Sequence, residues 1–184
     1  MNCSTTFACA LALSLSAAAA SHAAPIYATS VIDFTPGTYQ KVVPGRSDPA
    51  AALGAEDGKF VALGLGGSIV LGFSDPFRAI GKVFEVTFNN PAKHKETADV
   101  FGSVNGVVWV LLASLTNHIS TNFSAPGTFT QLKIVDTSNG KGATFDGFDV
   151  DAVSVSPVPV PATGLLLAGG LFGLGALRRR ARKA

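Results

Sequence analysis

The sequence predicts an all-β domain, an antiparallel β-sandwich or jelly roll, between residues 24 and 156. Residues 82–88 alternate, so that Phe84, Val86 and Phe88 share one face of a strand. Short apolar runs are separated by turn residues, most clearly by Gly66-Gly67 and Asn105-Gly106. No stretch of this region combines helical periodicity with capping residues. Short strands joined by turns are typical of sandwiches and jelly rolls.

Eight strands are predicted in chain order. Gly66-Gly67 joins the second and third of them as a hairpin, and Asn105-Gly106 joins the fifth and sixth in the same way. The predicted strands cover residues 26–34, 60–65, 68–73, 82–88, 99–104, 107–112, 128–136 and 148–155.

The apolar residues of this region suffice for one hydrophobic core, since about 130 residues is a common domain size. Trp109 has two interpretations: a core or rim aromatic, which we favour, or a platform on which a sugar ring stacks. The predicted core consists of Phe34, Phe60, Phe73, Phe84, Phe88, Phe101, Trp109, Leu132, Ile134 and Phe148.

Charge is distributed unevenly along the chain, whose formal net charge is +2. The last seven residues carry five basic side chains, whereas residues 24–156 carry nine basic and twelve acidic ones, a net charge of −3. This region has no basic patch with interleaved aromatic residues, so nucleic acid is not an expected partner. Both cysteines, Cys3 and Cys9, lie in the N-terminal leader, and no disulfide is expected in the mature protein.

Residues 1–23 are predicted to form a secretion signal. Residues 7–20 are an apolar run rich in alanine and leucine, which is too short to span a membrane. Small residues in Ser21-His22-Ala23 place the cleavage between Ala23 and Ala24. No Lys or Arg precedes the apolar run, which departs from the usual pattern of signal peptides. Signal peptidase and the general secretion machinery are the expected partners.

Residues 157–184 are predicted to form a C-terminal sorting segment with three parts in fixed order. The proline motif at 158–162 is Val158-Pro159-Val160-Pro161-Ala162. An uncharged run at 163–177 follows and is predicted to form a short transmembrane helix, about 22 Å long against a hydrocarbon core of about 30 Å. The basic tail at 178–184 is expected on the cytoplasmic side. It contains Arg178, Arg179, Arg180, Arg182 and Lys183.

This order of motif, short apolar helix and basic end resembles the PEP-CTERM class of sorting signals, most closely its Val-Pro-Leu-Pro-Ala (VPLPA-CTERM) variant. Val160 departs from the variant's leucine. The resemblance implies recognition by an exosortase-type membrane transpeptidase, removal of the helix after passage through the inner membrane, and a final position at the cell surface or outside the cell. Sorting signals of this class are often found in bacteria that make exopolysaccharide, which is therefore an expected partner. The alternative is a permanent single-pass membrane anchor.

Residues 98–109 (Ala-Asp-Val-Phe-Gly-Ser-Val-Asn-Gly-Val-Val-Trp) are similar to a hairpin of discoidin-like, galactose-binding-type sandwiches. Residues 48–58 and 147–153 look like blocks found in surface proteins that carry this sorting segment. The resemblance implies a ligand face at the loop end of the sandwich, often for glycans, and in some members a calcium site.

Acidic residues follow turns or strand ends at Asp57, Asp146, Asp149 and Asp151. Residues two apart on a strand point the same way, so Asp149 and Asp151 repel unless an ion lies between them. These four residues are the predicted calcium site, and calcium is the only cofactor suggested. We favour the other interpretation, a solvated sheet face, because no spacing matches an EF-hand loop.

Catalytic groupings are absent from the sequence, and the chain is not expected to be an enzyme. Zinc-ligand clusters and a nucleophile elbow are both missing. The expected function is that of an exported surface or matrix protein that binds carbohydrate or forms structure. A secreted polysaccharide hydrolase using Asp149 and Asp151 is the alternative.

Overall fold

The computed structural model describes residues 23–39, 43–87, 90, 93–117, 121–139 and 146–159. This part of the chain forms eight strands and one short 3-10 helix, Pro49–Ala52. The strands are β1 (Ile26–Tyr27), β2 (Ser30–Thr35), β3 (Val61–Ala62), β4 (Ser68–Glu85), β5 (Thr97–Ser103), β6 (Val110–Thr116), β7 (Asn122–Asp136) and β8 (Asp149–Pro157). Among the described residues, no helix has the length and apolarity needed to cross a bilayer.

Two long strands, β4 and β7, run through both layers of an antiparallel sandwich. Residues 68–72 of β4 pair with β2 and with residues 131–135 of β7, and β5 and β6 complete this five-stranded layer. Residues 77–85 of β4 pair with β8 and with residues 122–129 of β7. Strands β1 and β3 pair with β8 and complete the second layer. The predicted all-β class is confirmed.

Prolines lie at irregular positions of the two long strands. Pro76 lies within the register shift of β4 between Gly72 and Phe77, where β4 changes layer, and Pro126 lies opposite a second shift, between Arg78 and Ile80. Proline cannot donate to a strand ladder, and an irregular register bends a strand. The chain therefore turns a corner twice without leaving the β conformation.

The core lies between the layers. Phe77 sits at the corner of β4, and its ring centroid is 6.3 Å from that of Phe129 on β7. Leu132 and Ile134 come from the five-stranded layer, and both belong to the same buried cluster as Phe77. Predicted core residues that are indeed buried are Phe60, Leu132, Ile134 and Phe148. Phe34, Phe73, Phe84, Phe101 and Trp109 are half-buried, and Phe88 lies outside the described residues.

The hairpin predicted at Gly66-Gly67 is wrong. Strand β3 has only two residues and pairs with β8 instead of β4. Gly64 has φ +75°, and a Cβ on it would lie 2.8 Å from the carbonyl carbon of Gly37. This contact between two backbones needs glycine at position 64. The segment 63–67, which we call the glycine run, therefore packs against residue 37 and makes no strand-to-strand turn.

Asp136, at the end of β7, connects this glycine run to the rest of the fold through hydrogen bonds. Its carboxylate accepts hydrogen bonds from the backbone N–H groups of Gly66 and Phe148, both at 2.9 Å. It also accepts from the backbone N–H of Ser138 at 3.2 Å and from its hydroxyl at 2.7 Å. One buried carboxylate thus satisfies donors from three separate segments.

Two further predictions about strands are corrected. The strand expected at 26–34 is two strands, which pair with β8 and β4 respectively. The strands expected at 68–73 and 82–88 belong to the single strand β4, which ends at Glu85. Val83 and not Phe84 faces the core, and the register shift between Phe84 and Glu85 interrupts the simple alternation.

Candidate functional site

Strands β5 and β6 are joined by a six-residue loop, 104–109. The predicted pairing of these strands is confirmed, but the predicted two-residue turn at Asn105-Gly106 is wrong. Strand β6 begins at Val110, three residues later than expected. Trp109 therefore belongs to the loop and not to the strand ladder.

Side-chain hydrogen bonds fix the conformation of this loop. The Asn105 Oδ1 atom accepts from the N–H groups of Val107 at 3.0 Å and Val108 at 3.1 Å. The Ser103 hydroxyl donates to the Val108 carbonyl at 2.6 Å. A polar side chain that binds its own loop competes with strand pairing. The loop therefore presents Trp109 in a defined position.

A row of five residues crosses the outer side of the five-stranded layer below this loop. Paired residues on adjacent strands point the same way, and here the order is Asp33, Val70, Lys133, Phe101 and Leu111. Five strands span about 19 Å at their usual spacing. We refer to this row, together with Trp109, as the Lys133 face.

Lys133 contacts both aromatic rings of the Lys133 face. Its Nζ atom is 4.7 Å from the ring centroid of Trp109 and 5.3 Å from that of Phe101. Such cation–π contacts contribute about 0.5–1 kcal/mol at exposed sites. Both aromatic residues are half-buried and lie outside the buried core cluster. Trp109 is therefore a surface aromatic.

Apolar side chains next to Trp109 are unusually exposed. The exposed fractions are 65% for Val104, 78% for Val107, 66% for Val108, 49% for Val110 and 53% for Leu111. They come from one loop and from β6, which is the edge strand of its layer. Exposed apolar side chains that are grouped at one end of a sheet are candidates for contact with a ligand.

The four aspartates predicted to bind calcium lie in two separate places. In the first, the Asp151 carboxylate accepts from the N–H groups of Asp57 at 3.1 Å and Gly58 at 3.0 Å. The Asp57 carboxylate instead contacts Lys59 Nζ at 3.0 Å. Calcium needs oxygen ligands, and here the neighbours of Asp151 are N–H donors. Asp57 and Asp151 do not fit a shared ion.

At the second location, Asp146 and Asp149 lie near Glu85 and Glu96. Asp146 pairs with Arg46 at 2.6 Å. Within the described part of the chain, Asp149 Oδ1 and Glu96 Oε2 are buried without a hydrogen-bond partner. Burial, and then the charge of Asp146, raises the pKa of Asp149 to about 9. Burial, and then the charges of Asp149 and Glu85, raises the pKa of Glu96.

The interpretation of Asp149 and Asp151 as a solvated sheet face is wrong. Their exposed fractions are only 3% and 5%. Strand β8 is bordered by β4 on one side and by β1 and β3 on the other, so it is central in its layer. Among the residues described, no three His, Cys, Asp or Glu side chains converge in a way that could hold a metal ion. Calcium binding stays a prediction.

A groove of about 420 Å³ lies on the second layer. Three serines from two strands line it, Ser124 from β7 and Ser154 and Ser156 from β8. Gly81 also lines it, and a Cβ there would lie 2.7 Å from the Phe123 ring. Sequence reasoning missed this groove because only the register of three strands brings its residues together.

The remaining predicted site residues lie at the ends of the described chain or outside it. Ala23 and Ala24 are exposed and precede β1. The N–H of Val158 donates to the Pro76 carbonyl at 3.0 Å, and Pro159 is exposed. The rest of the proline motif, Val160, Pro161 and Ala162, lies outside the described residues, as do the uncharged run and the basic tail.

Several solved structures of low sequence identity are similar to this chain. The C-terminal domain of a chitobiase from Bacteroides fragilis is 12% identical, with a TM-score of 0.51 over 71% of this chain and 94% of that domain. A pectin-binding carbohydrate-binding module is 16% identical, with a TM-score of 0.49 over 72% of this chain and 95% of that one. Module CBM32-3 of a family 31 glycoside hydrolase from Clostridium perfringens is 10% identical, with a TM-score of 0.47 over 71% of this chain and 90% of that one.

No protein-family model matches the sequence, and no curated protein matches it. At 12% identity, the similarity to the chitobiase domain establishes a shared β-sandwich fold for the body of this chain.

Proposed function

We propose that this chain is an exported carbohydrate-binding protein that holds a glycan on the Lys133 face. The observation that carries the proposal is the position of Trp109, half-buried at the surface and fixed by a hydrogen-bonded loop. Sugar rings have apolar C–H faces that pack against aromatic rings, while their hydroxyl groups stay solvated. The fold shared with a domain of a chitobiase agrees with this role.

The arrangement of the Lys133 face suits a chain-like ligand better than a small molecule. Its residues lie side by side on adjacent strands and extend for about 19 Å. The exposed valines beside Trp109 offer further apolar contact along the same edge. We infer that an extended polysaccharide, such as an exopolysaccharide outside the cell, lies across the face.

A hydrolase that uses Asp149 and Asp151 is the weaker proposal. Both carboxylates are buried, and Asp151 already accepts two backbone hydrogen bonds. A glycosidase places two carboxyl groups on either side of a bond that its substrate can bring between them. The Lys133 face accounts for binding without a chemical step.

Export and sorting form a further part of the proposal and rest on the sequence. Cleavage between Ala23 and Ala24 and removal of the tail after the 158–162 motif would release an acidic, cysteine-free sandwich at the cell surface. Mass spectrometry of the protein recovered from the producing cells tests this proposal. A mature chain that lacks residues 178–184 supports sorting, whereas an intact C-terminus supports the permanent anchor.

Glycan binding is tested with an array of polysaccharides and the full-length chain in mild detergent. We expect Trp109→Ala to weaken binding about tenfold or more, which corresponds to about 1.4 kcal/mol. Phe84→Ala is the matched control, since Phe84 is a half-buried aromatic on the second layer with Lys82 Nζ 4.4 Å from its ring. Equal loss in both variants, or no binding by the unmodified chain, would reject the proposed function.

A further inference from the structure

We infer that the polysaccharide bound at the Lys133 face is anionic and carries carboxylates of the uronate class, which Lys133 recognises. This inference rests on the proposed function and names the chemical class of its ligand. It comes from the position of one positive charge among the aromatic residues, and it goes beyond stacking on Trp109.

Lys133 is the central residue of its row. It lies on β7, with Val70 of β4 on one side and Phe101 of β5 on the other. A polysaccharide that crosses the row in either direction along the sheet therefore passes over its ammonium group. A lysine at either end of the row would not have this central position.

Lys133 forms no ion pair with another described residue. The ion pairs of Arg46 with Asp146 and of Lys59 with Asp57 do not include it. Asp99 on β5 instead accepts a hydrogen bond from Ser114. A lysine that has only aromatic rings as partners keeps N–H donors for an incoming anion.

The two rings also restrict where the ammonium group lies. Its Nζ atom is 4.7 Å from the Trp109 ring and 5.3 Å from the Phe101 ring, so the flexible side chain is held between them. When one sugar unit of a polysaccharide packs against the other face of Trp109, a neighbouring unit that lies over the row comes within reach of Nζ. A carboxylate there forms a charge-assisted hydrogen bond, which is stronger than one from a neutral hydroxyl.

The net charge of residues 24–156 is −3, so most of this surface does not attract an anion. Attraction must therefore come from a local cation, and the lysine of the Lys133 face is the residue placed to supply it. A neutral glycan would gain nothing from this charge beyond an ordinary hydrogen bond.

The experiment compares two polymers with the same sugar backbone, polygalacturonate and its fully methyl-esterified form, in which the carboxylates are replaced by neutral esters. Affinities are measured for the full-length chain in mild detergent at low and at moderate salt. The variant is Lys133→Met, which keeps an unbranched apolar side chain against the rings. Lys82→Met is the matched control, because Lys82 also lies over an aromatic ring, that of Phe84, on the second layer.

We expect the unmodified chain to bind polygalacturonate about tenfold more tightly than the ester, with a preference that weakens as salt rises. Lys133→Met should remove this preference, because it weakens binding of polygalacturonate about tenfold more than binding of the ester, whereas Lys82→Met should leave the preference intact. Equal binding of both polymers by the unmodified chain would overturn the inference but not the proposed function. An equal effect of the two lysine variants would also overturn it, since general charge would then explain the preference. Failure to bind any polysaccharide would reject the proposed function itself.

Discussion

Replacing Asp136 by alanine should lower the free energy of unfolding by about 3 to 5 kcal/mol. The buried bond from the Phe148 N–H loses its acceptor, and an unsatisfied buried donor costs about 1–3 kcal/mol. The bonds from Gly66 and Ser138 are partly buried, so water replaces the acceptor in part, at about 1 kcal/mol each. Asp136→Asn should lower the free energy of unfolding by less than Asp136→Ala does, because an amide keeps one acceptor oxygen, although it also adds a donor.

Urea denaturation of the full-length chain in mild detergent measures this loss, with the fluorescence of Trp109 as the signal. At a slope of about 2 kcal/mol per molar urea, the midpoint of Asp136→Ala should fall by about 2 M. Asp33→Ala is the control, since Asp33 is exposed and accepts only a 3.3 Å hydrogen bond from Thr35. If both variants unfold within about 0.5 kcal/mol of each other, Asp136 does not fasten the glycine run.

Three further predictions concern the interior, the loop and the glycine run. The raised pKa values of Asp149 and Glu96 predict that the free energy of unfolding falls as pH rises from about 4 towards 9, because the unfolded chain releases these protons at lower pH than the folded chain. Denaturation at several pH values should show a weaker pH dependence of the free energy of unfolding for Glu96→Gln. An unchanged pH dependence would disprove that Glu96 contributes to it. Asn105→Ala should weaken glycan binding several-fold at a stability cost of about 1 kcal/mol, since it frees the loop that holds Trp109. In thermal unfolding, Gly64→Ala should cost more than Gly54→Ala, because both have positive φ but only Gly64 has backbone within 4 Å of an added Cβ.

Local patterns in the sequence predict the fold class well but the strand pairing poorly. Alternation and turn residues correctly indicate antiparallel strands on either side of loop 104–109. They do not show that Gly64 packs against Gly37, because that contact joins residues 27 positions apart. They also predict two strands where the structure has the single strand β4, because the exposed residues 74–76 at its corner resemble a loop in sequence.

The candidate site could be predicted only in part for the same reason. Trp109 stands out in the sequence as a single tryptophan on an apolar run. Its partner Lys133 does not, because a lysine in a strand carries no signal of its own until the register places it beside Phe101. Asp149 and Asp151 were expected in solvent, and only the position of β8 between two neighbours shows that they are buried.

The central claim is that glycan binds against Trp109, and the intrinsic fluorescence of the protein tests it most directly. Trp109 is the only tryptophan in the chain, so every change in tryptophan emission reports on this one position. Titration with a polysaccharide that the chain binds should shift or quench the emission, with a midpoint equal to the dissociation constant from an independent binding assay. Binding that saturates while the tryptophan emission stays unchanged would contradict the claim and move the site away from the Lys133 face.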